Sequence, residues 1–246
     1  TMGLQPSELT LLAGRTSSGK SALATTIAAH ASQPGAVVQF SLEMSSASLA
    51  LRLLASEAQL DGYRLRMGYL GNGAWGHIHH AVATLGQRSL YIDESPHLTI
   101  ATIRARCATL MATDKLRLIV VDYVQLVQGR GENRTQQVGS VSRGLKALAK
   151  EFHVPVLACA QLSRASDART DKRPQLSDLR ESGDLEQDAD VVLLLWRPEF
   201  VTKKPEDQGV TEVIVGKQRN GPTGVVRLAF IAAQTRFADL PQDATV

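Results

Sequence analysis

Apolar positions along the chain fall into short runs separated by stretches of helical spacing. Glu8–Ala13 is an apolar run that ends in a glycine-bearing turn, the pattern of a buried strand. Ser21–Ala31 is alanine-rich and stops at Pro34-Gly35, as a helix does. Ala36–Ser41 reads as the next strand, and Leu49, Leu53 and Leu54 then share a helical face behind Ser45 or Ser46 as cap. Trp75, Ile78, Val82 and Leu85 recur at helical spacing and predict a second amphipathic helix. Ser89–Ile92 predicts a short strand, and Thr99 caps a helix that aligns Ile100, Ile103, Cys107, Leu110 and Met111 on one face. Leu116–Val121 is the most apolar strand, and Val138, Val141, Leu145, Leu148 and Phe152 mark a long helix. Val154–Ala160 and Asp190–Trp196 have the pattern of strands covered on both faces. Thr211–Lys217 and Gly224–Ile231 flank Asn220-Gly221, a hairpin signal. Strands alternating with helices predict an α/β fold, with a doubly wound, mainly parallel sheet and a hairpin adding antiparallel strands at one edge. Ligands of such sheets bind at the carboxyl ends of the strands. The polar loops Gly129–Arg134 and Arg164–Ser177 are expected there.

Composition narrows the class. A 246-residue chain with 43% hydrophobic residues can bury a sizeable core, and it reads as a single domain over residues 1–246. Apolar runs such as Val191–Trp196 fall far short of the roughly 20 residues that a membrane span requires. No secretory signal opens the sequence, so a cytoplasmic protein with no membrane partner is expected. Cys107 and Cys159 lie in apolar segments and read as buried free thiols. The net charge of +3 biases the surface mildly toward anionic partners. Aromatics at 4% argue against a base-stacking surface.

The chemistry concentrates in a few short segments. Gly14-Arg15-Thr16-Ser17-Ser18-Gly19-Lys20-Ser21 fits G-x-x-x-x-G-K-[ST] between a predicted strand and a predicted helix. Its backbone N–H groups can wrap phosphate oxygens, Lys20 can reach the β- and γ-phosphates, and the Ser21 hydroxyl can bind Mg²⁺. Asp122 ends the strand Leu118-Ile119-Val120-Val121 where a Walker B carboxylate holds Mg²⁺ through water; Asp93 is a weaker rival for that role. Glu43 follows the strand Ala36–Ser41, where a carboxylate can orient and deprotonate water. A glutamate favoured by a helix dipole explains its position equally well. Gln161 follows Val154–Ala160 and reads either as a γ-phosphate sensor or as a polar loop residue. Lys217 and Arg219 at the hairpin are either solvated cations or an arginine finger for a neighbouring subunit. Arg164, Arg169, Lys172, Arg173 and Arg180 form a basic stretch diluted by Asp167, Asp171 and Asp178. His77, His79 and His80 lack partner ligands and read as surface histidines rather than a zinc site.

These segments, taken in order, resemble the ATPase domain of the bacterial hexameric replicative DNA helicases, the DnaB family. The likeness runs from Gly3 to about Phe237. Its specific segments are the phosphate loop, Phe40-Ser41-Leu42-Glu43-Met44, Val121-Asp122-Tyr123-Val124-Gln125-Leu126, Ala160-Gln161-Leu162-Ser163-Arg164, Ser177–Asp190 and Lys217-Gln218-Arg219-Asn220-Gly221-Pro222. The resemblance implies a RecA-like fold, ATP and Mg²⁺, and a ring of six copies with ATP at each interface. It also implies Glu43 as the catalytic carboxylate, Asp122 as the Walker B residue and Gln161 as the γ-phosphate sensor. Arg52 is implied near the nucleotide, and Lys217 and Arg219 as cations offered to the neighbour's ATP. Arg180, Glu181 and Gly183 are implied in a loop that tracks single-stranded DNA. Primase and a helicase loader are further expected partners. The family's phosphate loop commonly has Pro-Ser-Met before Gly-Lys and often Thr after it; Thr16-Ser17-Ser18 and Ser21 stand there in this chain. The family's amino-terminal domain and linker helix have no counterpart in the sequence, so a weakly associating fragment is expected. A RecA-like recombinase and a non-hydrolytic ATP-binding regulator are the alternatives. The Ser41-Leu42-Glu43-Met44 and Arg180-Glu181-Ser182-Gly183 segments and the full hydrolytic set favour the helicase.

Overall fold

The computed structural model describes residues 2–33, 35–163, 169–182 and 184–240, with residues 180–182 as backbone alone. The apolar runs become β1 (Leu9–Gly14), β2 (Ala36–Ser41), β3 (Leu90–Asp93), β4 (Leu116–Asp122), β5 (Val156–Gln161) and β6 (Val191–Trp196). The hairpin is β7 (Val210–Gln218) and β8 (Gly224–Ile231), and a further strand, β9 (Arg236–Asp239), follows it. The nine strands form one sheet in the order β3-β2-β4-β5-β1-β6-β7-β8-β9. From β3 to β6 the pairings are parallel, and β7, β8 and β9 add antiparallel strands at one edge. This is the α/β arrangement expected from the alternation, except that β9 was not anticipated.

The period of two along each strand explains the two-sided core. Leu9 and Leu11 of β1 join Val38, Phe40, Ile119 and Val121 in one cluster. That cluster is covered by α5 (Ile100–Thr113) and α6 (Arg134–Phe152). Leu12 points the other way, joining Val37, Val120 and Leu157 beneath α1 (Lys20–Ala31). Removal of apolar area from water on both faces stabilises the sheet by about 25 cal/mol per Å².

Helical existence was easier to foresee than helical facing. In α2 (Ser46–Ala58), Leu49, Ala55 and Ala58 are buried, whereas Leu53 and Leu54 are only half-buried. In α4 (Ala74–Gly86), Ala81 is the buried residue, while Trp75 and Val82 are 57% and 54% exposed. The buried positions of these two helices are mostly alanines, and the larger residues that the spacing aligned are left half-buried or exposed. Met111 of α5 is likewise exposed rather than packed with Ile103 and Cys107. Short helices at α3 (Gly62–Met67), α7 (Asp184–Asp188) and α8 (Glu199–Thr202) were not anticipated; each is too brief for a periodicity to register.

Candidate active site

Four strands deliver their carboxyl ends to one edge. Gly14 pairs with Gln161 across β1 and β5, and Ser41 pairs with Asp122 across β2 and β4. The sequence-predicted groups at Gly14–Ser21, Glu43, Asp122 and Gln161 therefore start from the same rim of the sheet.

The phosphate loop is shaped by its glycines and held by its lysine. A Cβ on Gly14 would lie 2.6 Å from Ser18 Oγ, so the chain turns there only without a side chain. Gly19 has φ of 98°, a left-handed conformation natural to glycine, and its face is closed by Phe237 of β9. Gly19 caps α1, whose first residues are Lys20 and Ser21, so unpaired N–H groups and the positive dipole end face the loop. Lys20 Nζ donates to the carbonyls of Gly14 and Arg15 at 2.9 Å each. Burial lowers the Lys20 pKa, and the nearby Asp122 and Glu43 carboxylates act against that shift. Arg15 donates to the Leu162 carbonyl at 3.4 Å, tying the loop to the end of β5. A cavity of about 260 Å³ beside the loop is lined by Arg15, Thr16, Ser18, Lys172 and Trp196. Arg173 lies 4.8 Å over the Trp196 ring and pairs with Glu212 at 2.6 Å.

The acidic groups are differently disposed. Asp122 is 1% exposed, and its Oδ1 has no hydrogen-bond partner among the described residues. A buried carboxylate oxygen left unpaired, together with the hydroxyl of Ser21 in the first turn of α1, supplies the kind of hard oxygen donors that suit Mg²⁺. Among the described residues there is no cluster of three His, Cys, Asp or Glu side chains. Mg²⁺ commonly takes one or two protein ligands and completes its shell with phosphates and water, so the donor set fits it. Cys159 is fully buried; desolvation, and next the Asp122 charge, push its thiol well above the ordinary range.

Glu43 is exposed in the turn between β2 and α2. Ser41 Oγ donates to the Met44 carbonyl at 2.6 Å and accepts from Met44 N at 3.3 Å, which fixes that turn. Leu42 N donates to the Asp122 carbonyl at 2.9 Å, and Glu94 of the loop after β3 accepts from Ser46 N. Arg52 on α2 is partly buried, which lowers its pKa against the opposing pull of Asp122 and Glu43. Lys20, Arg52, Asp122 and Glu43 therefore share one electrostatic neighbourhood. Asp93, the rival considered for the metal, is instead engaged by Arg106 at 3.3 Å and accepts from Ser95 N.

The hairpin cations do not reach this rim in their own chain. Lys217 donates to the carbonyls of Glu186 and Gln187, and Arg219 donates to the Gln187 carbonyl at 2.8 Å. Gln218 pairs with Val191 at the start of β6, whereas Gly14 pairs with Leu195 near its end. Roughly 13 Å of strand separates those levels. The side chains of Arg180 and Glu181, the whole of Gly183 and Arg164 lie outside the described residues. Arg180 and Glu181 are described only as backbone in the 3-10 helix Leu176–Ser182. Arg169 and Arg173 are ion-paired with Asp178 and Glu212, which reduces the free basic stretch expected there. His77, His79 and His80 are exposed on α4 or at its margin, and Cys107 and Cys159 are buried free thiols, both as expected.

Sequence reasoning passed over two contacts. Gln125 bonds the backbone of Gln161, and Glu94 holds the start of α2 beside Glu43. Gln125 stood in a quoted motif, but nothing in its spacing marked a contact to a residue 36 positions away.

Comparison with known proteins identifies the family. The DnaB-like helicase C terminal domain family matches residues 1–239. The chain is 45% identical to the replicative DNA helicase DnaB of Geobacillus stearothermophilus over 98% of its own length and 54% of that protein. It is 42% identical to the replicative DNA helicase DnaC of Bacillus subtilis (strain 168), again over 98% of this chain and 54% of the relative. It thus spans about half the length of these curated relatives. Among solved structures, an ATPase domain superposes with a TM-score of 0.92 at 34% identity, covering 96% of this chain and 86% of that one. A DnaB-like replicative helicase described with its interactions with primase also gives 0.92, at 33% identity over 97% of this chain and 58% of that one. With a RecA-like sheet, a phosphate loop and a buried acidic strand end in the expected order, the chain belongs to the DnaB-like helicase C terminal domain family.

Proposed function

We propose that this chain is the ATP-hydrolysing motor domain of a replicative DNA helicase, moving on single-stranded DNA and separating duplex ahead of it. The observation that carries the reading is the meeting of Lys20, Asp122 and Glu43 at one rim of the sheet, while Lys217 and Arg219 sit at the opposite level. Gly14–Gly19 and the α1 amino terminus would bind the phosphates, with Lys20 exchanging its loop carbonyls for β- and γ-oxygens. Ser21 and Asp122 would hold Mg²⁺, which neutralises charge developing on the phosphoryl group. Glu43, exposed in its turn, orients water and accepts its proton. Gln161 senses the γ-phosphate, and Arg52 steadies the acidic pair. Lys217 and Arg219 serve a neighbouring copy, which makes a ring of six the natural working form. Arg180, Glu181 and Gly183 contact the DNA backbone.

A replicative helicase of this kind works in the cytoplasm with primase and a loader as partners. The reading is tested by measuring ATP turnover against protein concentration, with and without single-stranded DNA. Turnover should rise with concentration and with DNA. In Glu43→Gln it should fall by roughly 10²-fold or more while nucleotide binding is retained, the scale of losing a general base. Nucleotide binding with no turnover at any concentration would overturn the motor in favour of a regulator.

A further inference from the structure

β5 is paired unequally on its two sides. Toward β1 the ladder runs to its last residue, Gly14 opposite Gln161. Toward β4 it stops at Val121 opposite Ala158, so the backbone of β5 beyond that point has no strand partner on this side. At Gln161 a side chain takes the missing place. Gln125 Nε2 donates to the Gln161 carbonyl at 3.0 Å, and Gln125 Oε1 accepts from the Gln161 N–H at 3.2 Å. A primary amide presents a donor and an acceptor side by side, as a peptide group does, and so can substitute for a strand neighbour.

Gln125 is itself fixed. It lies in the 3-10 turn Val124–Leu126, three residues after Asp122, with Val124 buried beside it. Its own carbonyl accepts from the guanidinium of Arg134, the first residue of α6. The Gln161 backbone is therefore held by the phosphate-loop strand on one side and by the segment following Asp122 on the other. Only its side-chain torsions are left free.

From this juxtaposition we propose that Gln125 is a positioning residue for Gln161, fixing the direction in which the Gln161 amide meets the γ-phosphate. The proposal rests on the reading of Gln161 as that sensor. A donor aimed in advance at a charged group does not have to be ordered when the ligand arrives, so the benefit is specific to a ligand that carries the γ-phosphate. A contact that merely supported the fold would help ADP and ATP alike.

The experiment compares the affinities of ADP and of the non-hydrolysable β,γ-imido analogue of ATP, with Mg²⁺, for the chain and its variants. Thermal unfolding reports on their fold. Gln125→Ala removes the clamp; Gln125→Glu keeps the volume but sets an acceptor against the Gln161 carbonyl. Both should leave ADP affinity unchanged and weaken the analogue roughly tenfold, the scale of one hydrogen bond to a charged group. Gln161→Ala should show the same selective loss, and adding Gln125→Ala to it should cost nothing further, since coupled residues are not additive. Gln161→Ala losing selectivity while both Gln125 variants match the parent would overturn the proposal and leave the sensor standing. Equal weakening of both nucleotides by the Gln125 variants would likewise overturn it, as a general structural contact. If Gln161→Ala itself leaves the ratio unchanged, the sensor reading falls and the proposal falls with it.

Discussion

Lys20 Nζ donates to two carbonyls of its own loop, those of Gly14 and Arg15, at 2.9 Å each. In the proposed site a phosphate would replace these neutral acceptors with anionic ones, and charge-assisted bonds are the stronger kind. Lys20→Ala should weaken nucleotide affinity at least tenfold, about 1.4 kcal/mol or more, in an equilibrium titration. Unaltered affinity would mean that the backbone cradle alone holds the phosphates. At this scale the sequence was legible where a residue's role follows from its neighbours along the chain. Gly14, Gly19, Lys20 and Ser21 form one continuous motif, and Asp122 is the only acid in β4. From its neighbours along the chain Glu43 is no different from a helix-start glutamate; that its turn lies at the same sheet edge as Asp122 follows only from the pairing of Ser41 with Asp122 across β2 and β4. Gln125 and Glu94 were invisible because each acts on a backbone group distant in sequence.

Among the elements, the strands other than β9 were read to within about two residues, since a buried parallel strand is a continuous apolar run whatever its neighbours and the hairpin strands flank a clear turn signal, whereas β9 is only four residues long. Helix faces were read less well, because in α2 and α4 the buried positions are mostly alanines, which a pattern of large apolar residues does not mark. The segment that leads to the expected DNA contacts shows a third case. Asp178 is buried in the 3-10 helix Leu176–Ser182; burial alone would raise its pKa, yet bonds from Arg169 and Gln175 N hold it below the ordinary carboxylate range. Its carbonyl also accepts from Ser163 N at 3.1 Å, anchoring the helix next to the end of β5. Arg180 follows that anchor by two residues. If it tracks phosphates, Arg180→Ala should weaken single-strand binding for all sequences alike and reduce the slope of log affinity against log salt by about one. Salt titrations of binding to unrelated oligonucleotides check this. A loss confined to particular sequences would instead indicate base readout.

The molecule has two unlike ends, the rim that carries the phosphate-loop motif and, at the other level of the sheet, a pair of cations bound to α7 carbonyls. A surface of one kind meeting a surface of the other gives head-to-tail assembly, which closes into a ring when the rotation permits. Under the proposed function a site completed in this way would draw Glu43 from one copy and Arg219 from the next. Arg219→Ala and Glu43→Gln proteins should each be nearly inactive alone, because charge on the γ-phosphoryl oxygens needs both the positioned water and the cation. Mixed, they should regain part of the ATP turnover wherever an Arg219→Ala site meets the finger of a Glu43→Gln neighbour. No recovery at any ratio, with subunit exchange confirmed, would defeat the shared site. The Arg173–Trp196 stack beside the phosphate loop has an optical consequence. The sequence holds two tryptophans: Trp196 lies under a guanidinium next to that cavity, while Trp75 stands 57% exposed on α4. Emission from Trp196 should therefore respond when the phosphate loop is occupied, and in Trp75→Phe, where it is the remaining indole, a nucleotide titration should change the fluorescence; an unchanged spectrum at saturating nucleotide would show that the stack lies outside the ligand's reach.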